Sequence, residues 1–374
     1  MLKIRVEAGP HRRINTPIRM KLKGGFPNSG PFVLVNEKGG EIPVQILKFG
    51  EEVELCWIID FLGRFESKNF SLIKEESFPG VENTRLELKE REEQTVFLFD
   101  SQTVMSCRHS KELSKPFIYP LKGPEGTPLT WNSPPDHAHH RSFWTAHGMV
   151  NGEDLWLEGL DRGKMVVDNI SRQAGYVFSE IKLKMTWQGS SGKKLVDEDR
   201  IIRLWNIPDR QWLIDYSTFL TANYGDVLFG DTKEAGMISI RVRESMEVEN
   251  GGRIENSWGG INEAETWGRK ANWCDYSGPV DGFWQGIAIF DHPSNPRHPS
   301  YWHVRDYGLM AANVFGVTEF NGSDYEKGGL LLQNEKTLGF CYRIYVHNGD
   351  AQDGMVSEKY LDYVVPPKVS IAME

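Results

Sequence analysis

Four of the ten histidines in this 374-residue chain lie between His137 and His147, in the segment Asp136-His137-Ala138-His139-His140-Arg141-Ser142-Phe143-Trp144-Thr145-Ala146-His147-Gly148. Imidazole gives or takes a proton near neutral pH without an unusual environment, and in its neutral form it is the commonest transition-metal ligand. Such a density predicts a proton-transfer or metal site. The plainer alternative, which holds for any one histidine taken singly, is a polar loop with its rings bonded to backbone. If the segment enters a strand after Pro134-Pro135, alternation puts His140, Ser142, Trp144 and Ala146 on one face. Arg141, Phe143, Thr145 and His147 then share the other, and His137 and His139 stay in the entering loop, where a rigid sheet commonly holds binding groups.

Two further segments carry chemistry. In Tyr301-Trp302-His303-Val304-Arg305-Asp306-Tyr307-Gly308, strand alternation aligns His303, Arg305 and Tyr307. Such a face is costly to bury unless its members are paired or meet a polar ligand; an ion pair between Arg305 and a carboxylate would explain it without function. The turn Phe229-Gly230-Asp231-Thr232-Lys233-Glu234-Ala235-Gly236 offers Glu234 as acid, base or metal ligand, although an exposed charged turn is the usual meaning of such a string. Twelve tryptophans, Trp131, Trp144, Trp156 and Trp302 among them, are a high count. Indole faces stack on sugar rings, but large β-sandwich cores also consume tryptophan, so most of these are expected in packing.

The elements that position these residues read as strands. Pro17-Ile18-Arg19-Met20-Lys21-Leu22-Lys23 alternates apolar and basic residues, and similar runs cover 52–60, 95–99, 182–187, 212–219, 237–242 and 339–347. Asn151-Gly152, Asn250-Gly251, Asn321-Gly322 and Asn348-Gly349 mark turns, with a hairpin expected at Val150-Asn151-Gly152-Glu153. Helical periodicity is confined to Ser357-Glu358-Lys359-Tyr360-Leu361-Asp362-Tyr363, ahead of Pro366-Pro367. The expected fold is all-β: a small β-sandwich region over 1–100, then a large multi-stranded antiparallel sandwich over 101–374 that carries the site.

Composition narrows the function classes. Hydrophobic residues at 39% and charged residues at 25% fit a globular protein with a true core. A net charge of −9 argues against a nucleic-acid groove. No apolar run approaches the ~18 residues of a membrane span, and the N-terminus shows no signal-peptide core, so a cytoplasmic location is expected. The four cysteines, Cys56, Cys107, Cys274 and Cys341, have no C-x-x-C spacing and are expected to be reduced and buried, with a disulfide left open. Oligomeric state is open, and a homo-oligomer is compatible.

Several ordered segments resemble the bacterial family labelled PmoA-like, or "methane oxygenase PmoA". They are Tyr119-Pro120-Leu121-x-Gly123-Pro124, Asp136-His137-x-His139-His140-Arg141-x-x-Trp144, His147-Gly148-x-Val150-Asn151-Gly152 and Gly230-Asp231-x-Lys233-Glu234. Trp267-Gly268, Trp273-x-Asp275-Tyr276-Ser277-Gly278 and Arg305-Asp306-Tyr307-Gly308-x-x-x-x-Asn313-x-Phe315-Gly316 continue the pattern, over about residues 110 to 320. The membrane subunit of methane monooxygenase that bears the name is excluded, because this chain has no membrane span. The resemblance implies a soluble β-supersandwich similar in style to galactose mutarotase, and a role in sugar catabolism. Mutarotase-like enzymes use histidines and a carboxylate for proton transfer at a sugar. His137, His140, His147, His303 and Glu234 supply those types, without a one-to-one match.

Three functions follow. The first is a sugar-directed hydrolase, lyase or isomerase with the five residues just named as catalytic groups, and Arg141, Trp144, Arg305, Asp306 and Asn313 as substrate contacts. The second is an enzyme dependent on a divalent transition metal, with His137, His139 and His140 as candidate ligands. The third is a carbohydrate-binding protein without turnover.

Overall fold

The computed structural model describes residues 2–23, 32–49, 52–74, 85–322 and 328–371. The chain is all-β, as expected, with three large antiparallel sheets and only short helices. Every run read as a strand lies in one: Arg13–Lys23, Glu52–Leu62, Gln94–Phe99, Phe178–Gln188, Trp212–Thr221, Ala235–Arg241 and Thr337–Asn348. The single helical expectation is the helix Val356–Val364. Among the described residues no helix is long and apolar enough to cross a membrane.

Two eight-stranded sheets face each other across the main core. One contains Phe143–His147, Ala235–Arg241, Leu309–Asn313 and, at its edge, Tyr301–Val304. The other contains Phe178–Gln188, Lys194–Trp205, Trp212–Thr221 and Thr337–Asn348. Ile238, Ile240, Trp302 and Val304 from the first meet Ile181, Leu183, Ile214 and Ile344 from the second. Alternation does the sorting: Trp302 and Val304 turn inward, so His303 between them faces away from the core. Inside the core, a chain of hydroxyl hydrogen bonds crosses between the sheets. The Thr145 hydroxyl donates to the Met237 carbonyl at 2.8 Å, so the Tyr216 hydroxyl must donate to Thr145 Oγ1 at 2.7 Å.

The remaining sheet has seven strands, and its core draws Ile4 and Val6 together with Ile18, Leu55, Trp57 and Ile59 from the far side of the strand order. The sheet therefore curls around its own apolar face. It packs on the outside of the second eight-stranded sheet, where Leu47 and Cys56 meet Phe178, Trp205, Leu213 and Tyr345, with Val356 and Tyr360 of the helix. Its strands differ from the expected division at residue 100. Leu86–Arg91 and Gln94–Phe99 belong instead to the edge of the first eight-stranded sheet. Lys368–Ile371 returns from the C-terminus to pair with Leu2–Glu7. A return of this kind has no local signature, because it depends on which edge strand is free. The four cysteines are free thiols, and three are buried.

The cross-sheet contact gives a test. Tyr216→Phe keeps the ring and the bond from Thr145 to Met237 and removes one net hydrogen bond. Stability should fall by about 1 kcal/mol, read as a lower urea midpoint at unchanged slope. An unchanged midpoint would show that the contact contributes nothing.

Candidate active site

Four loops meet on the outer side of the first eight-stranded sheet and enclose a cavity of about 580 Å³. The loop before strand Phe143–His147 supplies His137, His139 and His140. The segment after the Asn151-Gly152 turn supplies Asp154, Trp156 and Leu157. The turn before Ala235–Arg241 supplies Thr232, Lys233 and Glu234, and the edge hairpin supplies His303, Arg305 and Tyr307.

The backbone explains the convergence. Val150 and Glu153 exchange backbone hydrogen bonds around Asn151 and Gly152, both in the left-handed region, which is the hairpin turn expected from Asn-Gly. Gly148 donates to the Glu234 carbonyl at 2.7 Å, and a Cβ there would lie 3.0 Å from that oxygen. The glycine thus lets the acidic turn sit against the histidine strand. Asn313 fixes the same turn from the other side. Its amide nitrogen donates to the Thr232 and Lys233 carbonyls, both at 3.0 Å, while its oxygen accepts from the Phe315 and Gly316 backbone.

The rings are ordered as a column. Tyr307 stacks on His137 at 4.8 Å, His137 on His140 at 4.6 Å, and His140 on Trp144 at 5.2 Å. Arg241 braces the column from below. It is 1% exposed, bonds Asp136 at 2.8 Å and Glu247 at 2.9 Å, and reaches His140 Nδ1 at 3.4 Å. Arginine only donates, so His140 Nδ1 is the acceptor and the proton of the neutral ring is on Nε2. Asp136 accepts from His137 Nδ1 at 2.9 Å as well. His303 has the opposite tautomer. Its Nδ1 donates to the Lys233 carbonyl at 2.9 Å, which leaves a lone pair on Nε2 with no partner among the described residues.

Burial lowers three of the imidazoles, those of His139, His140 and His303. It pulls His303 down to about 4, helped by the charges of Arg305 and Lys233 and opposed by the bond to the Lys233 carbonyl. Burial also takes His139 down to about 4, helped by Lys115, and holds His140 far below the usual imidazole range. The same cause pushes the Glu234 carboxyl up, against the pull of Lys233 and His137. Its carboxylate oxygens have no hydrogen-bond partner among the described residues. Tyr307 is pushed up to about 12 by burial, despite Arg305 and Arg241, so its hydroxyl keeps its proton.

Of the residues given catalytic, substrate or metal roles in the sequence, His137, His139, His140, Glu234, His303 and Arg305 line this cavity, as does Tyr307. The other residues given roles lie elsewhere. His147 is fully buried between Phe229 and Phe315, where burial lowers it to about 3 and Nδ1 accepts from the Met149 backbone. Arg141 is held by the Glu158 carboxylate, with Nε at 3.0 and 3.1 Å from its oxygens. Trp144 is a buried core ring at the foot of the column. Asp306 and Glu263 cap each other's backbone N–H, at 2.8 and 2.9 Å, and Asn313 positions the acidic turn. The expected strand alternation also fails at two points. The histidine strand begins only at Phe143, after Ser142 at φ 68, and the edge strand stops at Val304. Arg305 to Gly308 form the hairpin turn, which swings Arg305 and Tyr307 onto the cavity.

Lys233, Asp154, Trp156 and Arg241 were not assigned roles from sequence. Arg241 had a signal: it is the one basic residue inside the run Ile238-Ser239-Ile240-Arg241-Val242, and a buried strand tolerates a cation only if it is paired. For the metal-dependent alternative, no group of three or more His, Cys, Asp or Glu side chains among the described residues is arranged to hold an ion. His137 and His140 stack with planes 8° apart, so their in-plane lone pairs run side by side rather than meeting at one point.

Residues 94–360 match the model of a family described as "Family of unknown function (DUF6807)"; the PmoA label that the motifs resemble is not the one that matches. None of the curated proteins matches. Among solved structures, the chain is similar to a glycosyl hydrolase family 38 protein and an alpha-mannosidase, both from Enterococcus faecalis, at 10% and 9% identity and TM-score 0.48. All of this chain is covered, and it spans about half the length of those two, 47% and 46%. A galactose mutarotase related enzyme from Lactobacillus acidophilus aligns at 10% identity and TM-score 0.32, over 70% of this chain and 97% of its own.

The neutral histidines make stability depend on pH. His303 is about 4 in the fold against 6.5 when unfolded, so above 6.5 neither state binds the proton and the fold keeps its full stability. As pH falls from 6.5 toward 4, the unfolded chain takes up the proton first and stability is lost. The urea midpoint should therefore drop between pH 7 and pH 5. His303→Asn, which can still donate to the Lys233 carbonyl, should drop less; an identical drop would mean that His303 is not held neutral.

Proposed function

We propose that this chain, which belongs to the DUF6807 family of unknown function, is a sugar-directed enzyme that works by proton transfer between its substrate and the pair His303 and Glu234. The observation that carries this is the complementarity of two unpartnered groups in one cavity. His303 Nε2 is a lone pair aimed away from its own backbone anchor, and Glu234 is a half-buried carboxyl raised toward its protonated form. A ring that burial holds in its neutral form and a carboxyl raised toward its protonated form are the kinds of group that acid–base catalysis uses.

The proton balance is simple. His303 Nε2 takes a proton from a carbon or hydroxyl of the sugar or, in hydrolysis, from the attacking water, and the Glu234 carboxyl delivers one to the oxygen that leaves or is re-formed. Arg305 stands beside them to stabilise negative charge on that oxygen. The His140 Nε2–H and the Tyr307 hydroxyl are further donors that hold their protons throughout. The lining supports a sugar as substrate because it combines the half-buried Tyr307 ring with several donors and acceptors, in a space of a size that small-molecule sites have. The family resemblance in the sequence points to the same substrate class. Hydrolysis, elimination and isomerisation all use this pair, and the substrate decides among them.

On a sugar that the wild type converts, Glu234→Gln and His303→Asn should each lower kcat by about 10²–10⁴-fold, with KM little changed, because both variants keep shape and polarity. Product analysis across a panel of mono- and disaccharides reads this out. Wild-type rates in both variants would remove the pair from the chemistry, and binding without conversion of any sugar would leave a carbohydrate-binding protein.

A further inference from the structure

Two cations face the cavity with bonding capacity to spare. Lys233 has no ion-pair partner among the described residues, although Glu234 is its neighbour in sequence. Arg305 directs Nε toward Glu263 Oε1 at 2.9 Å, in a charge contact not aligned as a hydrogen bond, and neither of its terminal nitrogens has a partner among the described residues. Its guanidinium lies 5.3 Å from the centre of the Tyr307 ring, on the cavity wall. Both residues lie close to His303, Lys233 through the carbonyl that bonds its Nδ1 and Arg305 two residues along the chain.

Nothing else in the lining balances them. Asp154 is committed, since its Oδ1 accepts from the Trp156 and Leu157 backbone at 2.8 and 3.0 Å and its Oδ2 faces Arg162 at 3.4 Å. Arg241, the third cation nearby, is already matched by Asp136 and Glu247. Burial lowers His139, His140 and His303 and raises Glu234 toward its neutral form. A lysine with no ion-pair partner among the described residues, beside an arginine whose terminal nitrogens stay open although Glu263 meets its Nε, offers donors complementary to an anion.

We infer that the sugar taken by this cavity carries an anionic group, a carboxylate or a phosphate, seated between Lys233 and Arg305. This rests on the cavity being a sugar site, as proposed above. Both groups present oxygen pairs that match the free edge of a guanidinium, with the lysine ammonium as a point charge beside it. An anion placed there also favours the protonated form of Glu234, in the same direction as its burial.

The test is titration calorimetry with D-glucuronate, D-galacturonate and D-glucose 6-phosphate, beside D-glucose and D-galactose. At least one anionic sugar should bind about tenfold or more tighter than its neutral counterpart, and raising salt from about 50 to about 500 mM should weaken it. The acid sugars and the phosphate distinguish the two sources of charge. Lys233→Met should remove the preference and Lys233→Arg should keep it, with both variants checked for a wild-type urea midpoint. Equal binding of neutral sugars, or a preference that survives Lys233→Met, overturns the inference and leaves the catalytic proposal standing. Binding of none of the five overturns both. Tight anionic binding without conversion supports the inference and sinks the catalytic proposal.

Discussion

The site depends on one buried cation. Arg241 leaves a strand whose neighbours Ile238 and Ile240 point into the core, and its guanidinium is almost wholly shielded from water. A charge in that position is strongly destabilising unless opposite charge comes to it. Asp136 arrives from the histidine loop and Glu247 from the turn after the strand, while the rings of Tyr307 and Trp131 lie 4.9 and 5.8 Å from the guanidinium carbon. Those partners lie on separate segments of the chain. Satisfying a single guanidinium therefore fixes the loop that bears His137, His139 and His140 against the hairpin turn that bears Tyr307. The same cation selects the tautomer of His140, since a donor at Nδ1 leaves the proton nowhere but Nε2.

The histidines differ in role because their second nitrogens have different partners. His137 gives its Nδ1 proton to a carboxylate, His140 accepts at Nδ1 from a guanidinium, and His303 donates at Nδ1 to a carbonyl. Of these three, His303 combines an Nδ1 anchored to backbone with a ring that burial lowers and an open Nε2, which favours it over the dense cluster as the proposed base. Composition concentrates imidazole between residues 137 and 147, yet the cluster contributes mainly stacking and a fixed donor. His147, four residues after Phe143, is lost to the site altogether among phenylalanine rings.

Legibility from the sequence followed the range of the forces involved. Strands set by alternation, the Asn151-Gly152 hairpin and the helix near the C-terminus are local, and each was read correctly. The alternation rule failed at Ser142 and after Val304, where a left-handed residue and a hairpin turn reset which side chains meet. His303, Arg305 and Tyr307 still face one cavity, but a turn brings them there rather than a shared strand face. The return of Lys368–Ile371 to the seven-stranded sheet and the partners of Arg241 are long-range, and no spacing encodes them. Arg141 illustrates the cost: beside the histidines it resembles a substrate contact, but Glu158 and the buried Lys115 behind it claim it as structure.

Desolvation links the stability of this site to its chemistry. The strand Ala235–Arg241 is buried along its whole length, because its inner face meets the core and its outer face lies beneath the loops. Those loops exclude the water that would otherwise stabilise charged imidazole and charged carboxylate. The same exclusion that lowers His303 therefore raises Glu234, so one physical cause shifts the two groups in opposite senses at once. A loop displacement that admitted water would move both back toward their ordinary values and discharge the pair together. The glycine at 148 matters for that reason: it allows the acidic turn to close on the histidine strand, and with it the low-dielectric space on which both protonation states rest.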